Sequence, residues 1–155
     1  MSTDIRYESI STDDDREVYD LVERGFDEFV KDDCTEEGAG VFFEAVRYIL
    51  YDKPDNYFVI VAKRDKDVLG MIAVADYYHI SLFFVDRTHQ GKRIGRGLFE
   101  AALKRCRAAS PSLKAVDVHS SLFAVPIYER LGFRKQGGTE LKNGIRFVKL
   151  VYMVG

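Results

Sequence analysis

The chain has 155 residues, of which 46% are apolar, 13% aromatic and 31% charged. That suits one domain over 1–155 with one core, and no apolar run approaches the ~20 residues that cross a bilayer. The formal net charge of −2 departs from the basic profile usual for nucleic-acid binding, so no nucleic-acid or membrane partner is expected.

Ile5 to Ile10 reads as a first strand. Ser11-Thr12-Asp13-Asp14-Asp15 then gives a helix start, with capping side chains and acids at the positive end of the dipole. Val18, Leu21, Val22, Phe26, Phe29 and Val30 follow at helical spacing. A second helix runs from about Thr35 to Tyr51, with Phe42, Phe43, Val46, Ile49 and Leu50 on its apolar side, and Pro54 ends it. Tyr57 to Lys63 and Val68 to Ala75 are β-rich runs joined by the turn residues Arg64-Asp65-Lys66-Asp67. His79 to Val85 is a third such run. Arg93 to Ala108 returns to helical spacing, with Leu98, Phe99, Ala102, Leu103 and Cys106 inward. Lys114 to His119 is a strand, Ala124 to Leu131 a short helix, and Gly132 its stop signal. Phe133 to Leu141 and Ile145 to Met153 flank Asn143-Gly144, a strong hairpin signal. The order is β, α, α, β, β, β, α, β, α, β, β. One central βαβ unit forces a parallel pair, and the hairpins on either side give antiparallel pairs. The expected fold is α/β of the mixed α+β kind. Its central sheet is mostly antiparallel, with about seven strands, a central parallel pair and about four flanking helices.

The chemistry concentrates after the strand ending at Val85. Gln90, Gly91, Gly95 and Gly97 lie between that strand and an amphipathic helix. Glycines permit a sharp turn and close backbone approach to a ligand. The free N–H groups of the helix start and its dipole favour an anion. Arg87, Lys92, Arg93 and Arg96 add cations. A pyrophosphate suits this spot. The spacing is not G-x-G-x-x-G, and no Gly-Lys-Ser/Thr follows, which disfavours Rossmann and P-loop readings.

The segment Gln90-Gly91-Lys92-Arg93-Ile94-Gly95-Arg96-Gly97-Leu98 resembles the Q/R-x-x-G-x-G/A signature of the GNAT superfamily, the Gcn5-related N-acetyltransferases. The stretch Ser120 to Phe133, with its Ala124…Tyr128-Glu129-Arg130-Leu131-Gly132-Phe133 ending, resembles the family's second motif. The derived element order is similar to that fold along nearly the whole chain. The resemblance implies an acetyltransferase moving an acetyl group from acetyl-CoA to a primary amine by direct transfer in a ternary complex. It implies that Gln90, Gly91, Lys92, Arg93, Ile94, Gly95 and Arg96 cradle the pyrophosphate, and that Ser121 and Ala124 lie near the pantetheine arm. Two positions depart from the pattern. Arg93 stands at the first glycine, where its amide serves if the turn keeps φ negative. Ser121 stands where many relatives carry Asn.

Acetyl transfer needs a neutral amine, donors for the carbonyl oxygen, a proton for the leaving thiolate, and both reactants held close. Tyr128 is the candidate general acid, against a plain packing role. The resemblance places the carbonyl's donor on the backbone of Phe83, Phe84 and Val85, where a bulge splays the strand from its parallel neighbour. By simple alternation His79, Ser81, Phe83 and Val85 share one face. His79 is the candidate general base, since histidine titrates near pH ~6.5. The bland reading, a half-buried histidine with a satisfied hydrogen bond, weighs equally. Asp76, Tyr77 and Tyr78 are reserves, and many relatives rely on water. His89 reads as a solvent-facing loop residue and His119 as a bystander.

The acceptor groove implied by the resemblance would draw on Phe26, Phe29, Phe42, Phe43, Tyr48, Tyr51, Tyr77 and Tyr78, although for more than half of them a core-facing place on an amphipathic helix is the favoured reading. Residues 1–40 carry 14 acids and 4 bases, a net −10, and the remainder a net +8. The acidic part is either a solvated helix face or an attractor of a cationic acceptor. The acceptor, a small-molecule amine or a protein or peptide amine, stays open, as does a homodimer. The three histidines and the two cysteines, Cys34 and Cys106, show no metal-ligand spacing, so no metal is expected. The start Met1-Ser2-Thr3-Asp4 lacks the regions of a signal peptide, so a cytoplasmic location is expected, with no disulfide. Two other classes compete: a CoA-binding regulatory or partner domain without turnover, and a nucleotide-binding domain of another kind.

Overall fold

The structure, a computed structural model, describes residues 4–90 and 93–155. Seven strands form one sheet in the order β1-β2-β3-β4-β5-β7-β6. Their ranges are β1 Arg6–Ser9, β2 Tyr57–Arg64, β3 Asp67–Ala75, β4 His79–Val85, β5 Ala115–Ser120, β6 Arg134–Lys142 and β7 Ile145–Met153. Every neighbouring pair is antiparallel except β4–β5, which is parallel. The expected mixed sheet with its central parallel pair is therefore present. Four helices flank it: α1 Asp15–Phe29, α2 Glu36–Arg47, α3 Ile94–Ala109 and α4 Val125–Leu131.

The apolar stripes read from sequence divide between the two faces. Val18, Leu21 and Val22 of α1, with Val46, Ile49 and Leu50 of α2 and the wider turn after it, bury Val59, Val61, Met71, Ala73 and Leu82. Leu98, Phe99, Ala102 and Cys106 of α3, with Tyr128 of α4, bury Ile60, Ile72, Val74, Ile80, Val116, Val118 and Leu150 on the other face. Helical spacing and strand alternation thus meet in two apolar layers, one on each side of the sheet.

Two turns position the functional region. Asn143 and Gly144 have φ of 53° and 78° and close the β6–β7 hairpin in the twist-compatible left-handed form. That turn docks on α2: Thr35 N–H donates to Gly144 O at 2.8 Å, while Thr35 Oγ1 accepts from Gly38 N–H at 3.0 Å. The turn between β3 and β4 places Asp76 and Tyr77 at φ of 55° and 62°, without glycine. Asp76 N–H donates to Asn56 O at 2.7 Å, and Tyr77 lies against the Phe58 ring, which holds this costly geometry just before His79.

Candidate functional site

The parallel pair opens almost at once. Register partners are His79 with Asp117 and Ile80 with Val118, and Asp117 N–H donates to Tyr78 O at 2.9 Å. Pairing with β5 stops there, so the β4 edge from Ser81 to Val85 faces no strand. On its other edge β4 pairs with β3 throughout, but Ala73 opposes Leu82 while Val74 opposes Ile80. Ser81 is therefore an extra residue, a bulge.

This bulge corrects the sequence reading in two ways. It lies at Ser81, two residues before the expected Phe83–Val85. It also reverses the alternation, so His79, Phe83 and Val85 do not share a face. Phe83 and Val85 pack with Ile80 on the α3 face, and Leu82 and Phe84 pack on the α1 face. Ala75, the partner of His79, alternates with Val74 and so places His79 toward α1 and α2.

The strand then feeds a tight turn. Asp86 accepts from Thr88 N–H at 3.0 Å and from Thr88 Oγ1 at 2.7 Å. Burial alone would raise the Asp86 carboxyl, but the Thr88 hydrogen bonds, with Arg24, hold it below the usual carboxylate range. His89 is not the solvent-facing residue expected. Its Nε2 accepts from Arg64 at 3.2 Å and its Nδ1 meets Thr88 Oγ1 at 3.0 Å, so it ties the turn to the β2–β3 hairpin. Gln90 spends its side-chain amide on Val85 O at 3.2 Å. Gly91 and Lys92 lie outside the described residues.

Arg93 has φ 65° and ψ 13°, the left-handed region. The condition under which its amide would serve, a negative φ, is not met. This is a glycine position by conformation, and arginine occupies it at a cost of about 1–2 kcal/mol. The first bond inside α3 runs from Gly97 N–H to Arg93 O at 3.1 Å, and Arg93 offers no side-chain cap. The N–H groups of Ile94, Gly95 and Arg96 thus have no acceptor within the helix. The Ile94 side chain is core, at 1% exposure, so only its main chain is available to a ligand. A Cβ on Gly95 would sit 3.8 Å from Phe83 and Val85, ordinary contact, so the packing of α3 on β4 does not itself require glycine there. Gly97 packs under Tyr7. Arg87 pairs with Glu28 of α1 at 3.6 Å, and Arg96 donates to Arg130 O at 3.1 Å, joining the start of α3 to the end of α4.

Tyr128 lies beneath this edge. Its ring is 5.9 Å from Phe83 and 5.3 Å from Phe133, and the residue is 6% exposed. Burial pushes its hydroxyl pKa up, so it stays a proton donor at neutral pH. The turn that leads into its helix is closed by Ser121, whose Oγ accepts from Ala124 N–H at 3.2 Å. The Ser121 hydroxyl keeps its proton for another acceptor.

On the opposite face, His79 Nδ1 hydrogen-bonds the Asp117 carboxylate. The His119 ring lies 5.0 Å from that of His79 and stacks on Phe147 at 4.7 Å. Burial first, and then His79, lower the His119 pKa, with Asp117 pulling the other way. Asp117 was absent from the sequence reading. The available signal was an acid inside an apolar strand, between Val116 and Val118.

The aromatic residues assigned to the acceptor side scatter. Phe26 is buried against Phe42 and Phe43, while Phe29 stacks on exposed Phe123 at 4.3 Å, joining the end of α1 to the loop after β5. Tyr48 and Tyr51 line a separate groove formed by α2 and the turn after it, and the Tyr77 ring, two residues before His79, meets Phe58 of the α3-side core. A cavity of about 290 Å³ does lie between α1 and the end of β4, lined by Gly25, Glu28, Phe29, Val85 and Arg87 among others. No described helix is long and apolar enough to cross a membrane.

Comparison with solved structures places this geometry. A GCN5-related N-acetyltransferase from Rhodopseudomonas palustris superposes with a TM-score of 0.79 at 15% identity, covering 99% of this chain and 98% of that one. The PaiA N-acetyltransferase from Thermoplasma acidophilum, solved in complex with coenzyme A, gives 0.74 at 14%, covering 99% and 100%. A spermidine N-acetyltransferase mutant from Vibrio cholerae gives 0.66 at 15%, covering 98% and 95%. No curated protein matches. The family model of the acetyltransferase (GNAT) domain matches residues 30–153. With its sheet, its opened parallel pair and that match over most of its length, the chain belongs to the GNAT acetyltransferase family.

Proposed function

We propose that this protein moves the acetyl group of acetyl-CoA directly to a primary amine held in the same complex. The observation that carries the reading is one juxtaposition. The partnerless β4 edge from Ser81 to Val85 runs into the uncapped start of α3. An extended amide-bearing arm fits the edge, and a pyrophosphate fits the amides of Ile94, Gly95 and Arg96 with Arg93 beside them.

The residues divide the chemistry as follows. Backbone N–H groups on the open edge, from the Ser81 bulge through Phe83 to Val85, meet the carbonyl oxygen as it becomes negative. His79 takes the proton that the amine must lose for its nitrogen to bond the carbonyl carbon. As the carbon–sulfur bond breaks, Tyr128 gives its proton to the thiolate. Ser121 and Ala124 flank the arm at the start of α4. The amine approaches from the α1–α2 face and the sulfur lies toward Tyr128.

A thermal-shift series followed by an amine panel tests this. Acetyl-CoA should raise Tm, and ATP and NAD should not. Spermidine, amino acids, simple primary amines and a peptide N-terminus should then be assayed for release of the CoA thiol, with at least one giving turnover. Stabilisation by ATP without acetyl-CoA would overturn the reading. Clear acetyl-CoA binding with no turnover across the panel would favour a CoA-binding domain without catalysis.

A further inference from the structure

We infer that Asp117 is a positioning residue for His79. Across the parallel pair, its carboxylate fixes the imidazole so that Nε2 presents its lone pair to the incoming amine. The inference rests on the reading of His79 as the base.

Three observations carry it. The β4–β5 register sets Asp117 opposite His79, and the Asp117 N–H to Tyr78 O bond locks that register at the apex of the opening. The carboxylate bonds Nδ1 of the ring. Asp117 has Val116 and Val118 on either side, both buried on the α3 face, so it projects toward α1 and α2. A carboxylate only accepts, so the ring hydrogen lies on Nδ1 and a neutral ring keeps Nε2 free. Aspartate is a poor strand former, and at this register position it trades strand preference for a hydrogen bond to one histidine.

The surroundings leave Asp117 as the nearest charge that can orient the ring. His119 meets it edge-on, and Lys149 and Lys142 act on His119 from β7 and β6, with Glu140 paired to Lys149 at 4.0 Å. None of the hydrogen bonds among the described residues ends on His79 Nε2.

The test reads the ring and the rate separately. In ¹⁵N NMR of the free full-length protein, with His79 assigned by its loss in His79→Gln, the neutral ring should be the Nδ1–H tautomer. Asp117→Ala should turn it into a mixture. With the best amine of the panel, kcat should fall about tenfold or more while KM for acetyl-CoA stays within about twofold. Asp117→Asn, whose amide can also donate to Nδ1 and so favour the other tautomer, should recover neither. The double variant with His79→Gln should be no slower than His79→Gln alone. Asp117→Val removes the acceptor yet favours the strand, and serves if the alanine variant does not fold. An unchanged tautomer, or a wild-type kcat in Asp117→Ala while His79→Gln is slow, overturns the positioning role alone. A wild-type kcat in His79→Gln overturns the base reading and this inference with it.

Discussion

Where β4 leaves β5, the two faces of the sheet offer different solvents. Under α3 and α4 the surface is apolar up to the strand edge: Phe83 and Val85 pack with Ile94, Leu98 and Tyr128. Under α1 and α2 the same strands carry His79, Asp117 and His119, the first two with side chains 27% and 39% exposed. A hydroxyl on the dry face is held protonated, because burial penalises the phenolate. An imidazole on the wetter face can exchange protons with water and an incoming amine. On the reaction proposed above, the opening lets both be used, with main-chain donors along β4 between them. In that proposal one splayed strand pair separates acid from base without a deep cavity.

The sharpest way to break this contrast is Tyr128→Phe. If the dry face supplies only a proton, kcat should fall about 100-fold, about 2.7 kcal/mol of barrier, with KM for acetyl-CoA nearly unchanged. Tm should hold, since the ring contacts with Phe83 and Phe133 survive. Steady-state kinetics and a thermal melt check both parts. A wild-type kcat would reduce Tyr128 to a packing residue.

A smaller effect is expected on the wetter face at Gly38. A Cβ there would lie 2.6 Å from Gly144 O and 2.8 Å from Gly144 C, main-chain atoms that cannot swing aside. Gly40, two residues on, has nothing within 4 Å. Gly38→Ala should destabilise by about 1–3 kcal/mol, and Tm should fall about 2–4 °C for each. Gly40→Ala should be neutral or stabilise by up to about 1 kcal/mol. Because Gly38 seats the β6–β7 turn against α2, its variant should raise the amine KM and leave that for acetyl-CoA alone. Equal shifts in both constants would show that the faces are not separable.

The dry face was also the more legible one. Its turn into α3 and Tyr128 lie in contiguous segments, Gln90 to Leu98 and Ser120 to Phe133, where glycine and helix-start chemistry mark themselves locally. The wetter face is assembled from residues far apart, His79 and Asp117 being 38 positions distant, and no local rule pairs them. The bulge was illegible for another reason. His79 to Val85 alternates acceptably as a regular strand, and one extra residue at Ser81 leaves no mark in composition while reversing every side chain beyond it. Phe26, Phe42 and Phe43 pack together as the core-facing reading of their helices has it, but periodicity says which helix face is apolar, not which neighbour covers it. Tyr48 and Tyr51 remain about half exposed on the α2 side.

Arg93 is where the local reading was half right, and it gives the finest test. The signature's glycine position is real in conformation, since φ is 65° there. Glycine would remove the left-handed penalty of about 1–2 kcal/mol, while its freer unfolded chain would return about 0.4–1 kcal/mol. Arg93→Gly should therefore raise stability by about 0.5–1 kcal/mol, seen as a Tm rise of about 1–4 °C. The cost falls on binding. An exposed charge beside a phosphate is worth about 0.2–1 kcal/mol, so KM for acetyl-CoA should rise no more than about fivefold. That outcome would leave the amides of Ile94, Gly95 and Arg96 as the main hold. A rise beyond about tenfold, 1.4 kcal/mol, would exceed what a surface charge supplies. The coenzyme face would then depend on a side chain as much as on its main chain, and arginine's strained place in the turn would be explained by the grip it gives.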